Sequence, residues 1–306
     1  MTTPYQQPRH PAPAPAPGPA APRAAGPGRT GPAPAPYVSP IPVRDAHLGD
    51  ALASEWTKLR SLRSTVWSLG VMVVLIVGLG VLSAVVLARD RESAGRVDMA
   101  LQPVDPATLL FLGVFGVMMG TLCVITLGVL TMSSEHGTGM MRTTLTACPS
   151  RGRVLAAKSL VYFALVFTLT TVTTLLTAVL QIALLDAATP APGALLRATV
   201  GVSYYVAMVG LLSVAVGSLV RHSAAAITVM IGVVLLPLVM SMFMVTKGLN
   251  GVRMFLLSYS IPSMMVPLYG QEFGSGPRGA TPLLIITGIV AVAMALAYVL
   301  QERRDV

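Results

Sequence analysis

Charge is scarce in this 306-residue chain: Asp, Glu, Lys and Arg make up 11% of it, against 54% hydrophobic residues. A soluble globule of this size uses about a quarter of its residues to coat itself with charge. A soluble enzyme is therefore strongly disfavoured, and several membrane spans are expected. None of the lysines, Lys58, Lys158 and Lys247, follows a Gly-x4-Gly frame, so the chain has no phosphate-cradling loop. Cys123 and Cys148 stand alone and supply neither a disulfide framework nor a metal-ligand cluster. HExxH, CxxC and GxSxG are all missing. His10, His47, His136 and His222 lie apart in tail and loops, where they read as solvated residues and not as ligands or bases. No ionisable residue falls deep in an apolar run, which counts against a transporter or pump that works through a titratable mid-membrane group.

What is present is apolar and long. Charge-free stretches run near residues 66–87, 107–132, 159–185, 198–220, 223–246 and 282–300. Each meets or approaches the roughly 20 residues needed to cross about 30 Å of hydrocarbon. Backbone groups in lipid must be satisfied within their own segment, so these are helices. The expected fold is all-α and polytopic, with six transmembrane helices and both termini on one side. Its place is the cell membrane, as a multi-pass protein. Around the spans, ten Lys and Arg near span ends lie on the N-terminal side against seven on the other. That bias puts both termini in the cytoplasm. In such a protein the excess of 21 Lys and Arg over 12 Asp and Glu points to lipid head groups as a partner, and not to nucleic acid.

Residues 1–43 differ from the rest. They hold 14 of the 24 prolines, interleaved with Ala and Gly. Proline fixes φ and lacks an amide proton, so neither a helix interior nor a sheet is expected here. A disordered cytoplasmic tail is the reading, serving either a Pro-binding partner or nothing beyond low complexity. No apolar stretch of signal-peptide kind precedes Val66.

Between tail and first span, residues 45–63 (DAHLGDALASEWTKLRSLR) read as an amphipathic interface helix. At 100° per residue, Leu48, Leu52, Leu59, Leu62 and Val66 share a stripe about 80° wide. Trp56 sits at its edge, while Lys58, Arg60 and Arg63 flank or oppose it, which is the pattern of a helix lying at head-group depth. Glu55 interrupts the pattern by projecting from the middle of the stripe. A carboxylate there is costly unless paired, so a cation from another cytoplasmic element is expected to meet it, with Arg142 or Arg153 the nearest by topology.

The longest cytoplasmic connection is SSEHGTGMMRTTLTACPSRGRVLAAK, residues 133–158. Its middle could form a short helix between the flexible Gly137 and Gly139 and the terminating Pro149. Glu135, Arg142, Arg151 and Arg153 place both signs of charge beside Met140, Met141 and Leu145. That mixture suits docking on a soluble partner or resting on anionic lipid. Within the spans, Thr170, Thr174, Thr177 and Gln181 share one helical face, which serves either a transport path or packing. Gly113, Gly116 and Gly120 read as a close helix crossing, and Pro237 as a kink. The stretch 247–281 holds Met254, Phe255, Leu256, Leu257, Met264 and Met265, too apolar for a free loop.

With SEWTKLRSLRS before the first span and the 133–158 sequence after the second, residues 44–306 resemble ATP-binding-cassette (ABC) type-2 exporter permeases, actinobacterial branch. The resemblance implies a transmembrane domain with a re-entrant extracellular hairpin between spans five and six. It implies an interface-helix motif at Glu55, Trp56, Lys58, Leu59 and Arg60. It implies an ATPase-coupling loop carried by Glu135, Gly139, Met140, Met141, Arg142 and Leu145. His136 departs from the aromatic residue common at its place. The implied partners are separate ABC ATPase subunits, which would use ATP and Mg, and a second permease copy or related permease. No cofactor belongs to this chain itself, and no catalytic or metal site is expected. A reading of another class is a non-transporting membrane scaffold or sensor. No residue spacing points to a particular cargo.

Overall fold

The computed structural model describes residues 47–93, 104–138, 151–220, 222–244, 246–271 and 276–303. The proline-rich segment 1–43 lies outside them. The described residues are helical, without strands, and six helices are long and apolar enough to cross a membrane. In chain order, α1 is Leu48–Ser61 and α2, the first span, is Arg63–Ser93. A short α3, Pro106–Phe111, is capped by the Asp105 carboxylate, which accepts from the Thr108 amide at 3.1 Å. It leads into α4, Val114–Thr138. The remaining spans are α5, Arg151–Leu185, α6, Pro192–Leu219, α7, Ser223–Phe243, and α9, Thr281–Arg303. Between α7 and α9 come α8, Asn250–Tyr259, and a 3-10 segment, Ser263–Tyr269.

The bundle is organised around α6, which packs against α4, α5, α7 and α9. Two-thirds of its apolar window (67%) is buried inside the protein, against 17% for α9. Composition explains this position. Ser203, Ala207, Gly210 and Gly217 put small residues on one face of α6, and small residues let helix backbones approach where the hydrophobic effect offers no drive. At Gly128 of α4 a Cβ would collide with the Ser213 hydroxyl and stand 2.9 Å from the Gly210 carbonyl. Gly116, expected at a close crossing, is at one: a Cβ there would lie 2.7 Å from the Ile76 carbonyl of α2. Gly113 is not part of that contact and sits in the turn before α4. Helix α7 continues through Pro237.

The interface segment departs from its expected shape. Rather than one helix through residue 63, the chain leaves the helical region at Leu62 (φ −78°, ψ 115°), and α2 starts anew at Arg63. That single extended residue changes the phase of the stripe. Leu62 and Val66 are consequently 46% and 59% exposed, while Glu55 and Leu59 are buried. The protein-facing strip of α1 is thus narrower than the sequence stripe, and it faces α5.

Between the fifth and sixth spans the two short helical pieces differ. Phe255 of α8 is exposed and stacks on Tyr259 with ring centroids 4.8 Å apart. The 3-10 segment is buried almost throughout, with Met264, Met265 and Leu268 in the core. The Tyr205 hydroxyl of α6 donates to the Ile261 carbonyl at 2.8 Å and fixes its start.

Candidate functional site

Two helices flank residues 139–150, and the structure ties their adjoining ends together. Lys158 lies seven residues into α5 from Arg151 and is buried. Its ammonium makes an ion pair with Glu55 Oε2 at 2.8 Å and reaches the Thr131 carbonyl of α4 at 3.4 Å. One turn further along α5, the Tyr162 hydroxyl donates to the Val124 carbonyl at 2.7 Å. These two contacts join α4 and α5 like rungs. Glu55, on α1, completes its coordination with Lys58 through Oε1 at 2.7 Å. Three elements therefore meet at one buried ammonium.

The electrostatics favour the charged state. Burial by itself raises the pKa of Glu55, but Lys158 and, to a lesser degree, Lys58 oppose it, and the carboxyl ends below its ordinary value. With both oxygens paired, its position in the middle of an apolar stripe is accounted for. Among the described residues the partner from another element is Lys158 and not Arg153. Arg142 lies outside the described residues, and Arg153 is exposed. Five residues correspond to about 140° around a helix, so Arg153 is turned away when Lys158 faces α1. Ser133 and Ser159, beside this junction in sequence, have buried hydroxyls without a partner among the described residues.

Of the other interface-helix residues, Leu59 is buried with Glu55, Trp56 is half exposed and Arg60 is exposed. In the loop, Gly139, Met140, Met141, Arg142 and Leu145 lie outside the described residues. Glu135 belongs to the helical backbone of α4, its side chain outside the description.

The threonine face of α5 is buried against neighbouring helices. Thr174 donates to the Thr170 carbonyl and Thr177 to the Thr173 carbonyl, both at 2.8 Å and both within α5. Gln181 donates across to the Gly80 carbonyl of α2 at 3.0 Å. A cavity of about 20 Å³ remains beside Thr174, Thr177, Gln181, Thr199 and Tyr269. That is room for about one water. Lys158, Tyr162 and the Thr131 carbonyl were not singled out by the sequence. The usable signal is Lys158 itself, a lone cation in VLAAKSLVYF at the start of an apolar span. Among the described residues, no three of His, Cys, Asp and Glu converge as a metal site would require.

A family model described as "ABC-2 family transporter protein" matches residues 52–306, which takes in α1 from Leu52, the Lys158 junction and all the spans. No curated protein matches the chain.

Proposed function

This chain belongs to the ABC-2 transporter family, whose members are membrane permeases of ABC transporters, and on that premise we propose that it is an exporter subunit energised by separate ATPase subunits. Those subunits bind the ATP and Mg, and they bear on the 133–158 loop. Both termini are cytoplasmic, as the cation bias around the spans suggests. A second copy, or a related permease, completes the route. The 247–281 region is the re-entrant hairpin on the outer face, consistent with its buried 3-10 segment. Assignment to the actinobacterial branch rests on SEWTKLRSLRS and the 133–158 sequence.

One observation carries the mechanism: α1 and both helices flanking the loop meet at Lys158. A push on the loop displaces the end of α4 and the start of α5 as one body, because the Lys158 and Tyr162 contacts hold them together. The interface helix follows through Glu55. Movement of that unit against the α6 hub then changes the contact with the second permease.

The test is association with a P-loop ATPase, expected to be encoded by a gene adjacent to this one. Capture of the ATPase, lost on Arg142→Glu, is expected. Capture that survives deletion of 135–148 would refute the coupling assignment. Solute accumulation by the purified chain in liposomes without nucleotide would refute the energising partner altogether.

A further inference from the structure

Helix α1 overhangs a groove along α5. Its lip is formed by Leu52, Ala53 and Trp56 of α1 and its floor by Leu160, Ala164 and Val172 of α5, among others, with a volume of about 730 Å³. The lining is apolar almost throughout, and large side chains at both ends are open to the surroundings: Trp56 is 47% and Val172 59% exposed. Among the described residues no element fills it.

From Leu160 to Val172 the floor rises about 18 Å at 1.5 Å per residue. The hydrocarbon of one leaflet is about 15 Å deep, half of the roughly 30 Å of a bilayer. The groove thus starts at the interface helix and ends near mid-membrane, which is the span of one acyl chain. One turn beyond the lip, α1 carries a cation. Arg60 follows Trp56 by one turn on the same face of α1, and it is exposed. Among the described residues no carboxylate meets it, in contrast to Lys58 and Lys158, which share Glu55. An exposed guanidinium one turn from the lip of an apolar slot matches a ligand with a phosphate at one end and a hydrocarbon tail at the other. Trp56 between them has the amphipathic ring suited to the carbonyl region of a lipid.

We propose that this groove is a binding site for an anionic phospholipid of the α1-side leaflet, with one acyl chain along α5 and the phosphate on Arg60. It is distinct from the coupling role above and stands whether or not an ATPase is the partner.

The chain has two tryptophans, Trp56 and Trp67, so Trp67→Phe leaves Trp56 as the sole reporter in the full-length protein. Purified in detergent, this variant is titrated with phosphatidylglycerol or phosphatidylcholine brominated on the acyl chain, and fluorescence quenching is read. The expected result is half-quenching at an about fivefold lower mole fraction of phosphatidylglycerol, the preference one surface cation supplies. Arg60→Gln removes that preference and Arg60→Lys keeps it. Ala164→Phe, which projects into the slot, weakens quenching by both lipids. Equal quenching by both lipids, or a preference unchanged in Arg60→Gln, overturns the proposal. Absence of quenching by either lipid means the groove is covered by protein, most simply a second copy, and also overturns it. Inorganic phosphate in millimolar excess is expected to leave quenching in place; if it abolishes quenching, the site is one for a free anion and the acyl assignment fails.

Discussion

The two ends of α5 are fastened by opposite chemistry. At one end Lys158 holds α1 by an ion pair and α4 by a carbonyl. At the other, Gln181 holds α2 through a neutral amide donated to Gly80. Their separation of 23 positions corresponds to about 34 Å of helix, the thickness of the hydrocarbon and a little more. A charge pair is strong but demands complete pairing once buried, because either partner left alone is costly. A neutral hydrogen bond in an apolar bundle contributes less and loses less when removed. The charged fastening lies beside the 139–150 segment, where a load is proposed to arrive, and the neutral one lies where the bundle has only to stay closed.

Breaking the charged end should show the largest effect. Lys158→Met leaves Glu55 buried with Lys58 alone and is expected to lower stability by about 3–5 kcal/mol, read from denaturant unfolding in detergent. Replacing Glu55 and Lys158 together by leucine should recover part of that loss. If the single and double variants are equally unstable, the pair is not the reason for the cost.

Next comes Glu55→Gln, expected to cost about 1.5–3 kcal/mol at neutral pH, the usual worth of a hydrogen bond to a charged group. Here pH sharpens the comparison. The folded carboxyl lies below the ordinary value of 4.5, so its stabilisation is complete above that pH and is lost as pH falls through the lower, folded value. The parent should lose stability in that acid window, and Glu55→Gln should lack this component of the slope. Variants at the Gln181 end should leave it unchanged.

At the neutral end, Gly80→Val forces a side chain against the Thr177 methyl and should cost about 1–3 kcal/mol by overpacking. Smallest is Gln181→Leu, expected near 0.6 kcal/mol, the average for a hydrogen bond between membrane helices. A loss at Gln181 as large as that at Lys158 would erase the distinction between the two ends.

Much of this was legible beforehand for physical reasons. The six spans follow from the lack of charge in their sequences, since an ionisable side chain in hydrocarbon is costly. That Glu55 needed a partner follows from its place within the apolar stripe. The identity of the partner did not follow, because Arg153 and Lys158 look equivalent as cations and only helical phase separates them. The break at Leu62 gave no warning, as neither Gly nor Pro marks it. The threonine face reads equally well as path or packing from the sequence, which gives no sign of its hydrogen bond to Gly80. The coupling residues 139–145 are named by resemblance alone and stand outside the described structure.

Covalent succession and mechanical allegiance part company at Leu62. Helix α1 is bonded to α2 through one extended residue, yet the side-chain grip of α1 is on α5, just over a hundred positions further along the chain. A tug on the Lys158 end of α5 is therefore felt first by a helix that is its neighbour only in space, while the first span is held to α5 from the far end, through Gln181 and Gly80.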